Sequence, residues 1–83
     1  MNRENEAKAA QYVYKVIHSA KDEGYVGLVE EFPGLSWFAG TDFEALAGIK
    51  KVTYDVVADL ERNHGPIPDP VTTEDVGKRF GEP

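Results

Sequence analysis

The chain has 83 residues, enough for one small domain and no second core of similar size. Fifteen Asp and Glu against nine Lys and Arg give a net charge of −6, which excludes a protein built mainly to grip a nucleic-acid backbone. There is no cysteine, so disulfides, thiolate metal ligands and cysteine nucleophiles are excluded as well.

Residues 1–10 are charged and alanine-containing, and read as a polar arm or frayed helical turn. No run of signal-peptide or membrane-spanning length follows them, so a cytoplasmic protein is the expectation. Residues 11–19 are rich in aromatic and β-branched side chains and predict a strand. Alternation puts Tyr12, Tyr14, Val16 and His18 on one face, and Val13, Lys15 and Ile17 on the other. Lys21, Asp22, Glu23 and Gly24 form a turn in which Gly24 is suited to positive φ. Residues 25–32 predict a second strand, paired antiparallel with the first. Pro33 and Gly34 then bend the chain, and Ser36, Trp37, Phe38 and Ala39 form a short third strand.

Thr41, Asp42, Phe43 and Glu44 have the pattern of a capping box. The Thr41 hydroxyl accepts from the residue 44 amide, and the Glu44 side chain reaches back to the Thr41 amide. A stripe of Phe43, Leu46, Ile49, Val52 or Thr53, Val56, Val57 and Leu60 has helical spacing. The helix is expected to stop near Asn63 and His64, with Gly65 after the last turn and Pro66 beyond it. Gly48 lies inside the helix, where its use is close approach to the sheet. The expected fold is therefore an α+β, antiparallel β-β-β-α(-β) two-layer domain, one long helix packed on a small sheet, over residues 11–70. Residues 71–83 supply a C-terminal edge strand or a tail.

Little in this pattern points to chemistry. His18 and His64 lie in different elements and have no histidine neighbour at ligand spacing, so no metal site is expected. His18 reads as a half-buried aromatic at a strand end, and His64 as a complement to the dipole at a helix end. The adjacent carboxylates Asp22 and Glu23, Glu30 and Glu31, and Glu74 and Asp75 do not form an acid–base pair across a cleft. No phosphate-cradling glycine motif or serine nucleophile motif occurs. What stands out is charge. Residues 22–75 carry twelve carboxylates against three basic side chains, net −9, and the positive charge lies at the two ends. Such a body steers a basic partner and raises its on-rate.

The run Tyr14-Lys15-Val16, Asp22-Glu23-Gly24-Tyr25-Val26-Gly27 and Glu31-Phe32-Pro33-Gly34-Leu35 resembles the HicB antitoxin family. The likeness continues through Gly40-Thr41-Asp42-Phe43-Glu44-Ala45-Leu46 and Pro66-Ile67-Pro68-Asp69-Pro70, and so covers about residues 12–70. The resemblance implies a degraded ribonuclease H-like sheet. It also implies the antitoxin of a type II toxin–antitoxin pair, which binds a small basic HicA-like mRNA-cleaving toxin and blocks it by occlusion. The chain is then no enzyme, needs no cofactor, and is expected to form a homo-oligomer. Its toxin-binding candidates are the acidic Asp22, Glu23, Glu30 and Glu31 and the aromatic anchors Tyr14, Tyr25 and Trp37. Many family members continue into a DNA-binding domain. This chain stops at Pro83, so direct operator binding is not expected. The other expectation is an orphan HicB-like homo-oligomeric interaction module with no toxin partner.

Overall fold

A computed structural model describes residues 2–71, and in it three strands and two helices follow one another as α1 (Arg3–Ala10), β1 (Tyr14–Ser19), β2 (Gly24–Val29), β3 (Ser36–Ala39) and α2 (Asp42–Arg62). The strands form one antiparallel sheet in the order β1-β2-β3, with α2 laid across one face. This is the α+β arrangement the residue pattern predicts. Of the expected strand or tail at 71–83, all but Val71 lies outside the described residues.

Register assigns the two faces. Tyr14 pairs with Val29, Val16 with Gly27 and His18 with Tyr25, while Gly27 and Tyr25 pair onward with Trp37 and Ala39. This set faces α2, since a Cβ on Gly27 would run into the Ala45 carbonyl and the Ile49 side chain. The opposite face carries Ile17, Val26 and Phe38 in one cross-strand row, with Lys15, Leu28 and Ser36 beside it. No described helix covers that row, and Ile17 and Phe38 are 50% and 53% exposed.

The core is the row Ala45, Ile49, Thr53 and Val57 of α2 against Val29, closed at its lower end by Ala9 and Tyr12. Positions four apart stack on one helix face, which is why this set is continuous. Full burial of a side chain such as Ile49 contributes about 1.5–3 kcal/mol. Thr53 is tolerated there because its hydroxyl donates to the Ile49 carbonyl at 2.7 Å.

Several details differ from the sequence reading. Residues 11–13 and 30–32 are turn or irregular, so the first two strands are shorter than predicted. Phe43 is not a core residue: it sits in the first turn of α2 and is 78% exposed. The Thr41 hydroxyl accepts from the Glu44 amide at 3.1 Å as expected, but it also donates to the Glu44 carboxylate at 3.0 Å. Neither Gly24 nor Gly65 takes positive φ. Glu23 and His64 occupy those left-handed positions, each with φ of 54°. Gly24 instead meets a demand for space, because a Cβ there would enter the Phe38 ring.

The N-terminal segment is a docked helix and not an arm. Asn2 caps α1, with its side-chain oxygen accepting from the Asn5 amide at 2.8 Å. Ala9 is fully buried against the core. The Glu61 carboxylate, near the end of α2, accepts from the Asn2 amide at 3.0 and 3.1 Å and from the Asn5 side-chain amide at 2.8 Å. Those charge-assisted bonds hold the carboxyl of Glu61 below its usual range.

Candidate protein-interaction surface

The residues singled out by sequence separate into three groups. Asp22 and Glu23 lie in the β1–β2 turn, where the Ser19 hydroxyl donates to Asp22 at 3.0 Å. Tyr25 is close by, its ring 5.0 Å from that of His18 and tilted by 42°. His18 itself is exposed and not half-buried.

Glu30 and Glu31 are at the opposite end of the sheet. Glu30 pairs with Lys15 at 3.3 Å. Glu31 is an internal clasp. Its carboxylate accepts from the Val13 amide at 3.0 and 3.3 Å and from the Val71 amide at 2.8 Å. It therefore ties together the entry to β1, the β2–β3 connection and the segment after α2.

Tyr14 and Trp37 lie on the helix side of the sheet. The Tyr14 hydroxyl donates to the Ala9 carbonyl at 2.7 Å, and burial, followed by the neighbouring Tyr54 and Glu31, pushes its phenol well above the ordinary value. Tyr12 is bound in the same way, with its hydroxyl donating to the Pro68 carbonyl at 2.7 Å. Burial, then Glu31 and Asp69, push its phenol up to about 12. Trp37 lies against Gly48 and is 43% exposed.

Connectivity gathers a different set. The hairpin register closes at Ser19 opposite Gly24, and β3 ends at Ala39 beside Tyr25. Helix α2 starts at Asp42, two residues beyond Ala39. The start of α2 and the β1–β2 turn therefore share one end of the domain. That end carries Asp22, Glu23, Asp42 and Glu44 against a single lysine, Lys21, together with the exposed rings of His18 and Phe43. Asp42, Phe43 and Glu44 were legible as a helix start but not as surface neighbours of the turn. The signal for that was the short connection between β3 and α2.

This end suits attraction more than chemistry. Its carboxylates are exposed, and no enclosing cleft sets one carboxyl apart from another. Among the described residues no group of three or more His, Asp or Glu side chains could hold a metal ion. A ring flanked by carboxylates can anchor a partner while the charges guide it in. Asp55 and Asp59, along the exposed side of α2, are committed to ion pairs with Lys51 and Arg62.

The fold and this surface define a small α+β domain with an acidic, aromatic end. Comparison with family models, with curated proteins and with solved structures gives no match to the chain. Among the described residues no helix is long and apolar enough to cross a membrane.

Proposed function

We propose that this chain is a HicB-like antitoxin domain, a non-catalytic binder of a small, basic, mRNA-cleaving HicA-like toxin. The observation that carries the reading is the turn end, where four carboxylates and exposed aromatic rings stand on one surface. A ribonuclease needs a cationic surface to hold RNA. An anionic domain seated on that surface excludes the RNA by occupancy alone. The motif likeness over about residues 12–70 supports the same reading. Of the sequence candidates, Asp22, Glu23 and Tyr25 belong to the proposed contact. Asp42, Phe43 and Glu44 join them.

The test starts from whether a small basic open reading frame lies beside this gene, and then asks whether its product is a toxin that this chain inhibits. The chain should form a stable complex with it, stop mRNA cleavage in vitro and rescue growth on co-expression. Reversing Asp22 and Glu23 to lysine together should slow association and flatten its salt dependence. A catalytically active neighbouring toxin that neither binds this chain nor is inhibited by it would sink the proposal.

A further inference from the structure

Among the described residues only β2 pairs with β1, so the outer edge of β1 is unpaired, and the flank of α2 lies above it. The Glu30 amide donates to the Val13 carbonyl at 2.9 Å, which sets the parity of the ladder. Odd-numbered residues of β1 therefore bond toward β2. Tyr14, Val16 and His18 turn their backbone N–H and C=O groups outward. The strand has no proline, and its pairing with β2 runs without a bulge from Tyr14 to Ser19. Proline and bulges are two of the devices that blunt natural edge strands, and β1 has neither; its one charged side chain, Lys15, is paired with Glu30 of the neighbouring segment.

Above this edge, Val16, Asp42, Phe43 and Leu46 line an open notch of about 390 Å³. Phe43 is the most exposed of the large apolar side chains in the described structure. Along this flank Asp42 lies four residues before Leu46, and Lys50 lies four after it, with its ammonium 5.6 Å from the centre of the Tyr14 ring.

We propose that two copies of this chain join through β1, antiparallel, with Val16 opposite Val16 of the second copy. The pairing makes one six-stranded sheet. Tyr14 then lies opposite His18 of the second copy, and all outward backbone groups of the three even-numbered residues are satisfied. The two-fold axis passes beside Leu46. Asp42 of each copy meets Lys50 of the other, so the flank complements itself in charge. Three strand spacings separate β2 from its counterpart, which sets the two α2 axes about 14 Å apart. Directly packed helices lie about 8–10 Å apart. The extra gap is the space that Phe43 and Leu46 from both copies fill, covering the exposed ring. A net-negative chain would otherwise repel its copy, and the Asp42–Lys50 contacts select this antiparallel arrangement over a parallel one. The contact shares Asp42 and Phe43 with the surface proposed for the toxin but leaves Asp22 and Glu23 outside it, so sedimentation of the chain alone tests dimerisation, and the Asp22 and Glu23 reversal tests toxin inhibition.

The absence of cysteine makes a direct test clean. Facing residues of a hydrogen-bonded antiparallel pair have Cα atoms about 5.5 Å apart, within disulfide range. Val16→Cys should oxidise to a covalent dimer with the wild-type circular dichroism spectrum, while Ser36→Cys on β3 should not. By sedimentation, Asp42→Lys or Lys50→Asp alone should weaken the dimer by about tenfold or more, and the double reversal should restore it. A wild-type chain that stays monomeric at its highest soluble concentration overturns the proposal. So does a dimer that cross-links through Ser36→Cys and not through Val16→Cys, or a double reversal no tighter than the single ones.

Discussion

Gly48 of α2 lies directly against the indole of Trp37, with no room between them for a methyl group. Gly27 allows the same approach one strand further in, against Ala45 and Ile49. Two missing side chains, one on the helix and one on the sheet, let α2 settle over β2 and β3. Gly48→Ala gains up to ~1 kcal/mol of helix propensity. It also forces the indole aside, and overpacking of this kind costs about 1–3 kcal/mol. The net expectation is a destabilisation of about 1 kcal/mol, with a red shift of Trp37 emission in the folded protein. Urea denaturation followed by fluorescence checks both. A stabilised variant with unchanged emission would show that the contact is not a constraint.

The resemblance makes Glu31 a candidate contact for a partner, but its carboxylate is occupied inside the domain by the amides of Val13 and Val71. Glu31→Ala leaves both donors without an acceptor. A part-buried group stranded in this way costs about 1–3 kcal/mol. The variant should lose about that much stability while Asp22→Ala, at the far end, loses little. Equal, small losses for the two would remove Glu31 from its structural role.

The turns show what a sequence can and cannot specify. The bounds of β3 and α2, and the Thr41 cap, follow from local chemistry: a bend at Pro33, a short apolar run, and a hydroxyl three residues before a carboxylate. Pattern alone assigns the left-handed position of the first turn to Gly24, because glycine is the usual occupant, and names Gly65 only as the residue after the last turn of α2; the left-handed positions lie one residue earlier in each case. The structure puts Glu23 and His64 there. A left-handed conformation costs a residue with a Cβ about 1–2 kcal/mol, and glycine removes that cost at some expense in chain entropy. His64→Gly should therefore stabilise the protein by up to ~1 kcal/mol, read as a higher midpoint in urea. A lower midpoint would mean that the imidazole contributes more than the strain removes.

What the sequence hid were pairings across long separations. Tyr12 bonds to Pro68 and Asn5 to Glu61, each 56 residues away, and nothing near any of these residues marks its partner. Helix α1 was hidden for a related reason. Its apolar content is alanine, so the stripe that reveals α2 is missing, and its docking depends on Ala9 and on the distant Glu61. The acidic end was only half legible. Local patterns identify a turn and a helix start separately, and only the assembled sheet makes them neighbours.

The link between α1 and Glu61 makes docking of that helix sensitive to acid. Asn2 and Asn5 donate to the carboxylate form, so folding lowers the Glu61 pKa from its ordinary value. A group whose pKa is depressed by folding contributes its stability above the unfolded-state value. That contribution falls away as pH drops through the ordinary carboxylate range to the lower folded value. Between about pH 7 and pH 3 the amides of α1 should lose protection from hydrogen exchange earlier than those in the middle of α2. Glu61→Gln has no charge to lose at this position. It should be less stable than wild type at neutral pH, and the difference between them should shrink as pH falls. Other carboxylates titrate in both proteins, and their shared effect cancels in that difference. A difference that stays constant down to the acid limit would show that hydrogen-bond geometry, and not the charge on Glu61, holds α1 in place.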